Sequence, residues 1–158
     1  MVSVPDGRNN LSKAIRNLGH NGNLLQLGNR FLVNFGHPLN TDDPVLYPCI
    51  EASSGEQLTC QVVTQEKAHS LRTVLRLPPH ATLHRPLDVF RCDEGFLAIC
   101  RKTGADLHSH IRSKKQLGEQ ECKRLFRQVV EAVQHCHMNK VVVGELKLKK
   151  FVFLDEDK

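Results

Sequence analysis

With 158 residues, 40% of them apolar and 25% charged, the chain has the profile of one ordinary folded domain rather than a disordered segment. The formal charge of +5 is spread out; its densest stretch, Lys147, Lys149 and Lys150, has no aromatic interleaving of the kind that stacks bases, so no nucleic-acid partner is expected. No apolar run approaches bilayer length and no export-type h-region follows the polar residues 1–10, so we expect no membrane partner and a location in cytoplasm and nucleus.

Residues 1–29, rich in Asn, Gly and Arg, read as a mobile N-terminal arm with one short helical turn near 11–18. Strands are expected at 30–35 and 45–50, flanking the turn-rich Asn40-Thr41-Asp42-Asp43-Pro44. Ser53-Ser54-Gly55-Glu56 reads as a hairpin turn into a third strand at 57–63. A helix over 65–77 follows, with Ala68, Leu71, Val74 and Leu75 on one face, and Pro78-Pro79 ends it by removing backbone donors. Two more strands are expected at 87–90 and 95–100, joined by the turn Cys92-Asp93-Glu94.

The remainder is helical. Residues 105–115 form a short helix with Asp106 as its N-cap. Residues 118–138 form the clearest element, with Cys122, Leu125, Phe126, Val129, Val130, Val133 and Cys136 on one broad stripe. Two short apolar pieces, 141–143 and 151–153, then bracket Gly144-Glu145-Leu146-Lys147. The six cysteines contain no CxxC pair and His135-Cys136-His137 has no second ligand pair nearby, so no metal site is expected.

Five strands with one helix after the third, then a short and a long helix, is the layout of a protein kinase through its catalytic loop. The expected fold class is therefore α+β: residues 30–100 as a five-stranded antiparallel N-lobe with one helix, and 101–158 as a hinge with the first helices of an incomplete α-helical C-lobe. Residues 143–151 stand where kinases carry His-Arg-Asp-Leu-Lys-x-x-Asn. The finer resemblance, over about residues 45–158, is to the Tribbles pseudokinases. It is carried by Ser54-Gly55-Glu56 leading to Thr59-Cys60-Gln61-Val62, by Arg76-Leu77-Pro78-Pro79-His80 and by Asp106-Leu107-His108-Ser109. Leu125-Phe126-Arg127-Gln128, His135-Cys136-His137 and Leu146-Lys147-Leu148-Lys149-Lys150-Phe151-Val152-Phe153 extend it.

Phosphoryl transfer depends on a few placed charges, and the resemblance locates their positions here. The glycine loop belongs between Phe35 and Tyr47, where Gly36 stands alone ahead of Asp42-Asp43. Gln61 occupies the position of the phosphate-holding lysine and supplies no charge. Glu66 resembles the short-helix glutamate of Tribbles, without its lysine partner. In the catalytic loop Gly144 replaces the arginine and Glu145 the proton-accepting aspartate, one methylene longer. Lys147 is retained, and Lys150 stands where an asparagine holds Mg²⁺. No intact catalytic set, no cofactor and no metal are expected.

The resemblance implies an inactive scaffold or adaptor that regulates kinase signalling, including the MAP-kinase cascade. It also implies protein partners: signalling kinases, transcription factors and a ubiquitin ligase that turns partners over. The sequence stops at Lys158, so the family's ligase-docking tail is expected to lie outside it. Two alternatives stay open: a residual ATP-binding atypical kinase using Glu145 and Lys147, and a truncated decoy in which the stripe on 118–138 lacks cover.

Overall fold

Alternating apolar residues build the first half of the structure. The computed structural model describes residues 24–40, 44–93, 95–114 and 116–154; the helical turn expected at 11–18 and the Asp42-Asp43 pair lie outside the described residues. Strands β1 (Leu24–Leu27), β2 (Phe31–Asn34), β3 (Leu46–Glu51), β4 (Gln57–Thr64), β5 (Asp88–Cys92) and β6 (Gly95–Arg101) form one sheet in the order β1-β2-β3-β4-β6-β5. Every neighbouring pair is antiparallel.

The α+β class is as expected, but among the described residues the sheet has six strands rather than five. The added strand, β1, falls inside the stretch read as an arm. Its Leu25 and Leu27 are buried at alternate positions while Leu24 and Gln26 face solvent. Gly28 and Asn29 both take φ of 56°, and the Arg30 amide donates to the Leu27 carbonyl at 3.1 Å. That is the primed two-residue turn whose twist matches an antiparallel pair. Gly28-Asn29 between alternating leucines was thus a hairpin signal.

The sheet's two faces carry separate clusters. Leu27, Phe31, Val33, Cys49, Leu58 and Cys60 pack with Leu97 and Ile99 on one face, where Phe90 meets Phe31 edge-on at 6.1 Å. Val63, Ala98 and Cys100 pack on the other with Leu71. Leu71 belongs to α1 (Ala68–Arg76), which follows a 3-10 turn over Gln65–Lys67. Gly95, at φ +148°, begins β6 so close to β4 that a Cβ there would stand 2.1 Å from the Val63 carbonyl oxygen.

Two compact units result: Met1–Arg72 with Pro86–Lys102, and Thr73–Arg85 with Thr103–Lys158. In the second, α2 (Leu107–Lys114) is capped as expected by Asp106, whose carboxylate accepts from the Ser109 amide at 2.9 Å and the Ser109 hydroxyl at 2.8 Å. Helix α3 (Glu119–Met138) follows. It ends with Lys140 at φ 62°, the Lys140 amide bonding the His137 carbonyl and the Val141 amide the Cys136 carbonyl. This is a Schellman closure with lysine where glycine is usual.

The apolar stripe on α3 is narrower than expected. Leu125 and Cys136 are buried, but Cys122 is exposed and Phe126 and Val130 stand 66% and 46% exposed. Positions 122, 126 and 130 form their own row one helical step aside, so they turn away from the row that packs. After the helix, residues 141–143 form no strand. Residues 151–153 instead run alongside 104–107, with Gly104 and Leu107 amides bonding the Phe153 and Phe151 carbonyls at 2.7 and 2.8 Å. No helix among the described residues is long and apolar enough to cross a membrane.

Candidate functional site

The connection from β2 to β3 is the segment that would cover nucleotide phosphates, and it is tied to itself. The Asn40 side chain donates to the Pro44 carbonyl at 3.1 Å and accepts from the Leu46 amide at 2.7 Å. The Leu39 amide donates to the Leu46 carbonyl at 2.7 Å, and the Gly36 amide to the Asn34 side chain at 2.9 Å. Three backbone amides of the described part of this connection, those of Gly36, Leu39 and Leu46, are thus engaged locally rather than turned outward as a glycine loop's are toward phosphate. Asn40 was not singled out by its sequence context, because its partners are set by the hairpin's register.

Gln61 lies half-buried in the middle of β4, opposite Leu46 on β3 and Ala98 on β6. Pleat alternation puts it on the face of Thr59 and Val63, beside the cluster of Val63, Ala98 and Cys100. Its surroundings on the sheet are small and apolar, and its amide contributes no charge. Glu66 is exposed in the 3-10 turn before α1 and makes no ion pair among the described residues.

In the second unit the structure brings three of the expected positions together. Glu145 stands 2.7 Å from the Lys147 ammonium and 3.8 Å from that of Lys150. Lys150 also donates to the Glu145 backbone carbonyl at 2.9 Å. The short 3-10 turn Leu148–Lys150 closes this ring. All three side chains are more than half exposed, so the pairs add little stability. What they fix is sign: the carboxylate at the position expected to receive a proton is flanked by two ammonium groups, one of them at the position expected to hold a metal. Gly144 is exposed, with no atom within 4 Å of where a Cβ would stand.

The same unit holds a cavity of about 490 Å³. Its apolar lining comes from Leu125, Val129, Val133 and Cys136 of α3 with Phe151 and Phe153. Polar lining comes from Arg124, Gln128, Glu145 and Lys150. Nearby, the His80 and His135 rings stack at 4.5 Å, and His135 Nε2 stands 3.0 Å from the Pro78 carbonyl, tying the segment after α1 to α3. Neither Arg124 nor the histidine stack was foreseen; both depend on distant segments meeting. Among the described residues no group of three or more His, Cys, Asp or Glu side chains is placed to hold a metal ion.

No protein-family model matches the chain. Curated relatives do. Human Tribbles homolog 1 is 37% identical over 106 residues, covering 66% of this chain and 28% of that protein. Human Tribbles homolog 3 is 36% identical over 113 residues, covering 71% and 32%. Tribbles homolog 2 of the dog, Canis lupus familiaris, is 32% identical over 122 residues, covering 77% and 35%. The chain thus spans about a third of the length of these relatives. Among solved structures, the crystal structure of Rad53 1-466 in complex with AMP-PNP matches with a TM-score of 0.69 at 16% identity. That match covers 81% of this chain and 36% of the other, and establishes a kinase-like fold.

Proposed function

This chain is a homologue of the Tribbles proteins, Tribbles-like in sequence and kinase-like in fold, and from that premise we propose that it works by binding proteins rather than by transferring phosphate. The observation that carries the reading is the Glu145 carboxylate held between Lys147 and Lys150. Phosphoryl transfer needs a free carboxylate to take the substrate proton and a second acidic or amide group to hold Mg²⁺. Here the first is engaged, and the second is a cation that repels the metal. The self-tied β2–β3 connection and the neutral Gln61 argue in the same direction.

The finer role we propose is the one the family resemblance implies: an adaptor in cytoplasm and nucleus for signalling kinases, transcription factors and a ubiquitin ligase. The test of inactivity pairs a thermal melt, with and without ATP and Mg²⁺, with a phosphotransfer assay. A ligand selective for the native state raises its melting temperature, so the expected result is an unmoved transition and no transferred phosphate. Phosphotransfer that disappears in Glu145→Ala would overturn the proposal.

A further inference from the structure

The cavity in the second unit adjoins the positions Glu145 and Lys150 and adds Arg124 to them. Its walls are mainly apolar, from Val129 and Val133 of α3 and from Phe153. Its charged lining is Arg124, Lys150 and Glu145. The Glu145 carboxylate is already matched by Lys147 at 2.7 Å. Arg124 makes no hydrogen bond or ion pair among the described residues, and Arg127, one turn-fraction along the exposed side of α3, makes none either. An apolar hollow with one uncommitted guanidinium in its lining is complementary to apolar side chains accompanied by a carboxylate.

We propose that this groove is a docking site for a short amphipathic segment of a partner protein, with apolar side chains entering between α3 and Phe153 and an Asp or Glu paired with Arg124. The volume lies within the range that receives a few side chains or a small ligand. Arginine suits this role because its planar fork binds a carboxylate bidentately, giving register as well as attraction. A second copy of the chain is a poorer occupant, since an isologous contact would bring the same basic lining up to itself. The proposal deepens the adaptor reading by naming a surface, and rests on it only in taking the partner to be a protein.

The test is selection from a random-peptide phage library on the purified full chain, followed by fluorescence anisotropy with the enriched peptides. Enriched sequences are expected to combine large apolar residues with at least one Asp or Glu. Arg124→Glu, a surface change compatible with folding, should weaken them by about tenfold or more. A peptide carrying Lys in place of its acidic residue should bind Arg124→Glu better than the parent chain. An empty selection, ligands without acidic residues, or affinity indifferent to Arg124→Glu would each overturn the proposal. So would sedimentation showing a dimer that Arg124→Glu leaves intact and that excludes the peptides, because the occupant would then be a second copy. None of these outcomes depends on ATP or phosphotransfer, so failure here is distinguishable from failure of the inactive-kinase reading.

Discussion

Lys150 reaches back five residues to donate its ammonium to the backbone carbonyl of Glu145 at 2.9 Å, while standing 3.8 Å from the same residue's carboxylate. One side chain thereby shapes the loop and sets its charge. The carbonyl bond is a local constraint on residues 145–150, whereas the charge is what a metal or phosphate would meet. Because the lysine is 54% exposed, the two consequences separate experimentally.

Lys150→Asn should change stability by no more than about 1 kcal/mol, since exposed pairs contribute little. Urea denaturation measures this. A loss above about 2 kcal/mol would mean that the loop is a structural support of the second unit rather than an electrostatic feature.

Asp106 carries the start of α2. The Ser109 backbone amide, and then the Ser109 hydroxyl, hold its carboxyl below the usual carboxylate range against an opposing effect of burial. A carboxyl with depressed folded-state pKa contributes stability above its unfolded pKa and loses it as pH falls through the folded value. The charge-dependent part of the capping contribution should therefore be complete at neutral pH and be lost in acid, below the ordinary carboxylate range. Asp106→Ala should cost about 1 kcal/mol at pH 7, and Asp106→Asn much less. Melts of both variants at neutral and acidic pH check it: the difference between Asp106→Ala and wild type should shrink in acid.

Gly95 and Phe31 test the first unit. Gly95→Ala would force a Cβ to within 2.1 Å of the Val63 carbonyl oxygen at φ +148°, so β4 and β6 must separate locally. We expect a loss of about 3 kcal/mol or more. Phe31→Ala removes a fully buried ring that touches Phe90, and should cost about 3–5 kcal/mol. Equilibrium denaturation measures both, and a near-neutral Gly95→Ala would contradict the β4–β6 register.

The cysteines should divide by reactivity. Burial pushes the Cys49 and Cys100 thiols up to about 11, and raises that of Cys60 further, with neighbouring Cys49, Cys100 and Cys92 adding to the effect. The thiolate is the reactive form. Under native conditions at pH 8, iodoacetamide should modify the exposed Cys122 and leave Cys49, Cys60 and Cys100 unmodified until denaturant is added. Mass spectrometry of tryptic peptides reads the pattern directly, and early labelling of Cys60 would contradict the packed sheet.

Local patterning by itself determined the helices and most strands. Prolines 78 and 79, the Asp106 cap and the spacing of Leu125, Val129, Val133 and Cys136 act through neighbours in sequence, so their consequences are readable there. The kinase-like class was legible for the same reason, because its motifs are continuous, and the same motifs are what set the expectations at Gln61, Glu145 and Lys150. Tertiary structure decided what depends on distant pairings. The β1–β2 hairpin is an intermediate case: its Gly28-Asn29 signal is local, but burial of Leu25 and Leu27 needs Leu58, Leu97 and Ile99 of the more distant strands as well. Only packing split the α3 stripe, since periodicity reports which residues share a face but not how much of that face finds a neighbour. Likewise, the stacking of His80 on His135 and the meeting of Arg124 with the 143–154 segment around one cavity join residues far apart in the chain. Their proximity is set by chain path, which no local pattern encodes.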